Sequence, residues 1–176
     1  RLADPKRSEM LRFYQHHFQA QGNWKKYYST LATLRGALDD PEESLEISVE
    51  MARVAREEMK SPAKAIDVWK SVLKQDSGNQ RARHELHDLY IEAGKWNALL
   101  EHYKEEIAIL EQEDSDESRT RQVALLSKMV DIYRDRLRLD VMVINTYNAI
   151  LQIDPVNSDA IDALAGLEKV YADYAE

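Results

Sequence analysis

Residues Asn79 to Gln112 read NQRARHELHDLYIEAGKWNALLEHYKEEIAILEQ, and the fold is decided there. Leu86, Leu89, Tyr90 and Ala93 recur at steps of three and four, which places them along one stripe of a helix. Beyond Gly94, Trp96, Leu99, Leu100, Tyr103 and Ile107 do the same. Glycine tolerates positive φ at little steric cost, so Ala93-Gly94-Lys95 is where one helix stops and the chain reverses. Neither helix can bury its stripe alone. The stretch predicts a helical hairpin that needs neighbours.

The rest of the chain repeats that theme. Lys6–Ala20 carries Leu11, Tyr14 and Phe18 on one stripe; Gly22 breaks it, and Trp24 opens a helix bearing Tyr27, Tyr28, Leu31 and Leu34. The preceding Arg1–Pro5 reads as the tail of a helix followed by a stop. Asp40 is placed to cap a long helix from Glu42 to Lys60 whose wide apolar band predicts packing on two sides. Ser61-Pro62 fits a cap followed by proline in the first turn of the next helix, which carries Ala65, Ile66, Trp69, Val72 and Leu73. After the opening hairpin comes the acidic run Glu113–Glu117. Asp116 or Ser118 is then expected to cap a helix over Arg119–Leu137. Helices over Asp140–Ile153 and from Ser158 to about Tyr174 complete nine, with no strand.

Two segments align without a gap. Ala65–Asn79 (AIDVWKSVLKQDSGN) matches Val143–Asn157 (VINTYNAILQIDPVN) at an offset of 78 residues, while Trp24 and Trp96 match at 72. The acidic run absorbs the six-residue difference. A period of this kind signals a solenoid in which each unit buries its face against the next.

The hairpins that carry these residues resemble tetratricopeptide repeats, in the form with alternating long and short hairpins common in large bacterial repeat proteins. The match is best in Ala65…Trp69…Val72-Leu73…Asp76-Ser77-Gly78-Asn79 and in Val143…Tyr147…Ile150-Leu151…Asp154-Pro155-Val156-Asn157. Leu86…Tyr90…Gly94-Lys95-Trp96…Leu99…Tyr103 matches the turn and its flanks. His87, Ser77, Leu99 and Val143 depart from the family pattern. The resemblance implies an all-α, right-handed α-solenoid of roughly four and a half units, at 6–38, 42–78, 79–112, 117–156 and 157–176, forming one repeat domain.

Composition bounds the function. The chain has 176 residues, 24 basic against 32 acidic, for a net charge of −8, which argues against nucleic acid as the main partner. It has no cysteine, so thiolate chemistry and disulfides are out of reach, a composition that fits a reducing compartment. No apolar run approaches the ~20 residues needed to span a bilayer, so no membrane insertion is expected. A cytoplasmic location is expected, with periplasm as the alternative. The first residue is Arg1 rather than methionine, and the chain is expected to be a segment of a longer protein.

No phosphate-binding glycine loop, nucleophile elbow or zinc-protease motif is present, and neither catalysis nor a cofactor is expected. His84-Glu85-Leu86-His87-Asp88 is the nearest approach to a metal motif. It offers two nitrogens with no convincing third ligand, and Asp88 is expected to point away from His87. Glu113–Glu117 lacks the glycine and distant glutamate of a calcium loop and reads as a solvated linker. Trp24, Trp69 and Trp96 recur at the period of the repeat and read as packing residues.

What remains is surface. The resemblance implies that the first helix of each hairpin lines a concave peptide-binding groove. Its candidate lining is Glu9, Arg12, His16 and Gln19, then Arg81, His84, Asp88 and Glu92, then Asp159, Asp162 and Lys169. The expected function is a non-catalytic scaffold holding another protein or peptide. The alternative is a regulatory or substrate-recruiting arm of a larger enzyme. Uncapped ends also predict some self-association. Residues 1–40 carry seven basic and four acidic side chains and residues 140–176 one basic and seven acidic, a gradient able to orient a partner through long-range steering.

Overall fold

The computed structural model describes the backbone of residues 5–173 and the side chains of residues 9–167. The expected helix tail at Arg1–Asp4 lies outside the described residues. Among those described there are nine helices and no strand. These are α1 (Pro5–Ala20), α2 (Trp24–Gly36), α3 (Pro41–Arg53, continuing through a π-helical turn at Val54–Glu58), α4 (Pro62–Gln75) and α5 (Gln80–Glu92). Then come α6 (Trp96–Leu110), α7 (Asp116–Asp131, continuing through a π-helical turn at Ile132–Leu137), α8 (Asp140–Ile153) and α9 (Ser158–Asp173).

The chain forms two compact units, Arg1–Ala93 and Gly94–Glu176. In the first, α1 packs on α2, α2 on α3, α3 on α4 and α4 on α5; in the second, α6 packs on α7, α7 on α8 and α8 on α9. Short turns between packed neighbours make an all-α array of helical hairpins. The boundary falls at the Gly94 turn, where glycine adopts φ +62° and Ala93 donates its N–H to the Leu89 carbonyl. Of the opening stripe, Leu86, Leu89 and Tyr90 are buried in the first unit, and Leu99, Leu100, Tyr103 and Ile107 in the second. Ala93 is exposed, because the cap turns it away from the stripe.

The 78-residue period is built into backbone geometry. The two π-turns begin at Val54 and Ile132, and each is followed by a left-handed residue, Lys60 (φ 50°) and Arg138 (φ 54°). Asn79 accepts from the Ala82 N–H at 3.0 Å and donates to Asp76 at 3.1 Å; Asn157 accepts from Ala160 at 3.1 Å and donates to Asp154 at 3.0 Å. The helices α2 to α5 therefore recur as α6 to α9.

Caps follow the sequence in part. Asp40 accepts from the N–H groups of Glu42 and Glu43 as expected. Ser61 stands at the cap of α4, but its side chain makes no capping bond; its backbone carbonyl accepts from Lys64 and Ala65 instead. Ahead of α7 the cap is Ser115, which accepts from the Ser118 N–H, rather than Asp116 or Ser118. Ser118 lies inside the helix, buried, and donates to the Leu110 carbonyl across the acidic turn. That bond ties the end of α6 to the start of α7, so the acidic run is a short bridge.

Candidate functional site

In the first unit α3 and α5 stand on either side of α4 and leave a groove of about 240 Å³ between them. Trp69 of α4 forms part of its floor and is 2% exposed. Val49, Ala52 and Arg56 line it from α3, and Arg81, Glu85 and Leu89 from α5. On α5 these last three recur every four residues, so one helical stripe faces the groove.

Ion pairs fix most of the walls. Arg53 holds Glu50 through two bonds of 2.8 Å and reaches Glu57 at 3.1 Å. Hydrogen bonding to Glu50 pushes the Arg53 pKa up, against a smaller opposing effect of burial. Tyr27 of α2 donates to the same Glu50 at 3.1 Å, and burial, followed by the charge of Glu50, drives its phenol well above the ordinary range. Arg56 crosses from α3 to Glu92 of α5 at 2.6 Å. The Arg81 guanidinium lies 6.0 Å over the Trp69 ring and enters no ion pair among the described residues. A cation over an indole face is attracted by the ring quadrupole while its N–H groups stay open to solvent.

Asp88 sits near this edge. Its carboxylate lies 2.9 Å from His87 Nδ1 and 3.6 Å from His84 Nε2. The expectation that Asp88 points away from His87 is corrected: adjacent side chains on one turn reach each other when both are short enough to fold along the helix surface. The hydrogen bond with His87 holds the Asp88 carboxyl below its ordinary pKa, with the charges of His84, His87 and Arg56 adding to the effect. Among the described residues, no group of three or more His, Cys, Asp or Glu side chains is placed to hold a metal ion.

The candidate residues divide accordingly. Arg81 lines the groove, Glu92 bridges to its far wall, Asp88 feels Arg56 across it, and His84 is exposed beyond it. Glu9, Arg12, His16 and Gln19 are exposed along α1, and Asp159 and Asp162 along α9. The Lys169 side chain lies outside the described residues.

Sequence reasoning left out Arg53, Arg56, Glu85 and the floor residue Trp69. A signal for the α3 wall was present: Arg53, Arg56 and Glu57 have charged counterparts Asp131, Arg134 and Asp135 at the 78-residue offset. In the second unit Arg134 bonds Asp131 at 2.7 Å and Asp135 at 2.9 Å, so the ionic wall recurs. The floor position Trp69 is matched by half-buried Tyr147, and Arg81 by Asp159.

A larger depression of about 350 Å³ lies where the α2–α3 and α4–α5 turns meet, lined by Asp39, Asp40, Glu42, Asp76 and Asn79 over Leu45 and Val72. Two of its carboxylates are already engaged, Asp40 in the α3 cap and Asp76 with Gly78 and Asn79. Its polar groups hold turns together, which makes it the weaker binding candidate despite its size.

No protein-family model matches the chain, and no curated protein matches it either.

Proposed function

We propose that this chain is a non-catalytic, tetratricopeptide-like scaffold of the bacterial type that binds another protein or a peptide. The groove between α3 and α5 carries this reading. It combines an aromatic floor, aliphatic sides and a rim of charged groups, the mixture by which helical-repeat surfaces hold a peptide through a few anchors and a polar edge. The first helices of successive hairpins would line a concave face of a right-handed superhelix, and Arg81, Asp88 and Glu92 would be its contacts in the first unit. The 78-residue recurrence of turns, caps and ionic walls supports a repeat architecture of this kind. Among the described residues no helix is long and apolar enough to cross a membrane. A cytoplasmic setting suits the absence of cysteine.

The test is a peptide-array screen against the whole chain, followed by amide chemical-shift mapping of the strongest binders. Shifts clustered on Arg56, Trp69, Arg81, Glu85 and Glu92 are expected. Binders that map instead to the outer surfaces of the helices would overturn the groove assignment.

A further inference from the structure

We infer that the groove of the first unit selects a partner segment carrying a single acidic side chain, which Arg81 anchors above Trp69. The inference rests on the peptide-groove reading and adds a charge rule to it. Charge compensation inside the groove carries it. Of the three arginines on its walls, Arg53 is engaged by Glu50, Glu57 and Glu58, and Arg56 by Glu92. Arg81 stands exposed with an aromatic face behind it and no carboxylate within ion-pairing distance among the described residues.

An incoming Asp or Glu would meet a planar donor fork that lies over the ring with its N–H groups open to solvent, the geometry of a bidentate pair. The groove's own carboxylates set the limit. Glu85 lies one turn along from Arg81, and Glu57 lines the opposite wall. A run of acidic residues would be repelled by both, so one acidic anchor flanked by neutral residues fits best. The second unit supplies a built-in contrast, since the same frame there bears Asp159 where the first unit has Arg81. That position would repel the same anchor.

The probe is a random-sequence peptide array applied to the full chain and to Arg81→Glu and Arg81→Lys variants, each checked for unchanged helicity by circular dichroism. Wild-type binders should be enriched in sequences with one Asp or Glu, and replacing that residue by Asn or Gln should weaken binding about tenfold. Arg81→Lys should keep the preference at reduced affinity, and Arg81→Glu should reverse it toward Lys or Arg. Binders without charge preference, or an acidic preference that survives Arg81→Glu, would overturn the inference while leaving the groove intact. A screen with no binders at all would overturn the groove reading and this inference together.

Discussion

Replacing Trp69 by alanine tests the frame on which the groove depends. The side chain is 2% exposed and packs between α3 and α5. A buried tryptophan removes about 150–250 Å² from water, and truncating it to alanine costs roughly 3–5 kcal/mol once the residual cavity is included. The contact with Arg81 adds little, since the arginine is exposed and a cation–π contact there contributes about 0.5–1 kcal/mol. Against a domain stability of about 5–15 kcal/mol, the loss is a large fraction. Trp69→Phe keeps most of the apolar volume and should cost roughly 1–2 kcal/mol. Half-buried Tyr147 occupies the matching position in the second unit, so Tyr147→Ala should cost less than Trp69→Ala. Urea unfolding followed by helical circular dichroism measures all three without relying on tryptophan emission. A Trp69→Ala loss below about 1 kcal/mol, or a larger loss for Tyr147→Ala, would refute the packing argument.

Asn79→Ala and Asn157→Ala each remove a helix cap and should each cost about 1 kcal/mol, read as faster hydrogen exchange at Ala82 and Ala160 respectively. Ser118→Ala leaves the Gln122 amide without the hydroxyl it now bonds, while the Leu110 carbonyl keeps the Glu113 N–H, and should cost about 1–2 kcal/mol in chemical unfolding. Carboxyl NMR should find Asp88 titrating below the ordinary aspartate range, and His87→Ala should raise it. Because the folded value is the lower one, the stabilising contribution of Asp88 is present above the unfolded pKa and is lost as pH falls through the folded value. Lys60→Gly relieves a left-handed backbone without breaking a side-chain hydrogen bond or ion pair among the described residues and should move the melting temperature by no more than a few degrees, upward if strain outweighs the entropy of the unfolded chain.

Periodicity made the helices legible, since buried positions such as Leu86, Leu89 and Leu99 must recur on one face wherever a helix meets a core. The turn at Gly94 and the cap at Asp40 were equally readable, because few residue types satisfy those backbone demands. Ser115 was missed because several adjacent residues can accept the same N–H groups, and the choice among them depends on how Ser118 is drawn toward Leu110. The groove was half legible. Arg81 and Glu92 follow from the helical stripe of α5, whereas Arg56 and Trp69 join them only when α3 and α4 pack alongside. The π-turns had no local signature at all; only their recurrence, set by the spacing of neighbouring helices, distinguishes them from ordinary helix.

Those π-turns act as phase shifters. An added residue in one turn puts the side chains within and just after it out of step with an uninterrupted helix, by up to roughly 100° around the axis. In α3 the part before the shift presents Ile47 and Met51 to the core, and Val54 and Ala55 then face inward as the turn opens against both α2 and α4. Deleting a single residue from Val54–Glu58 would restore a regular helix and rotate that later surface away from one of its two neighbours. A one-residue deletion there should therefore do more damage than many substitutions, because it also draws left-handed Lys60 and the Ser61 turn that opens α4 out of place.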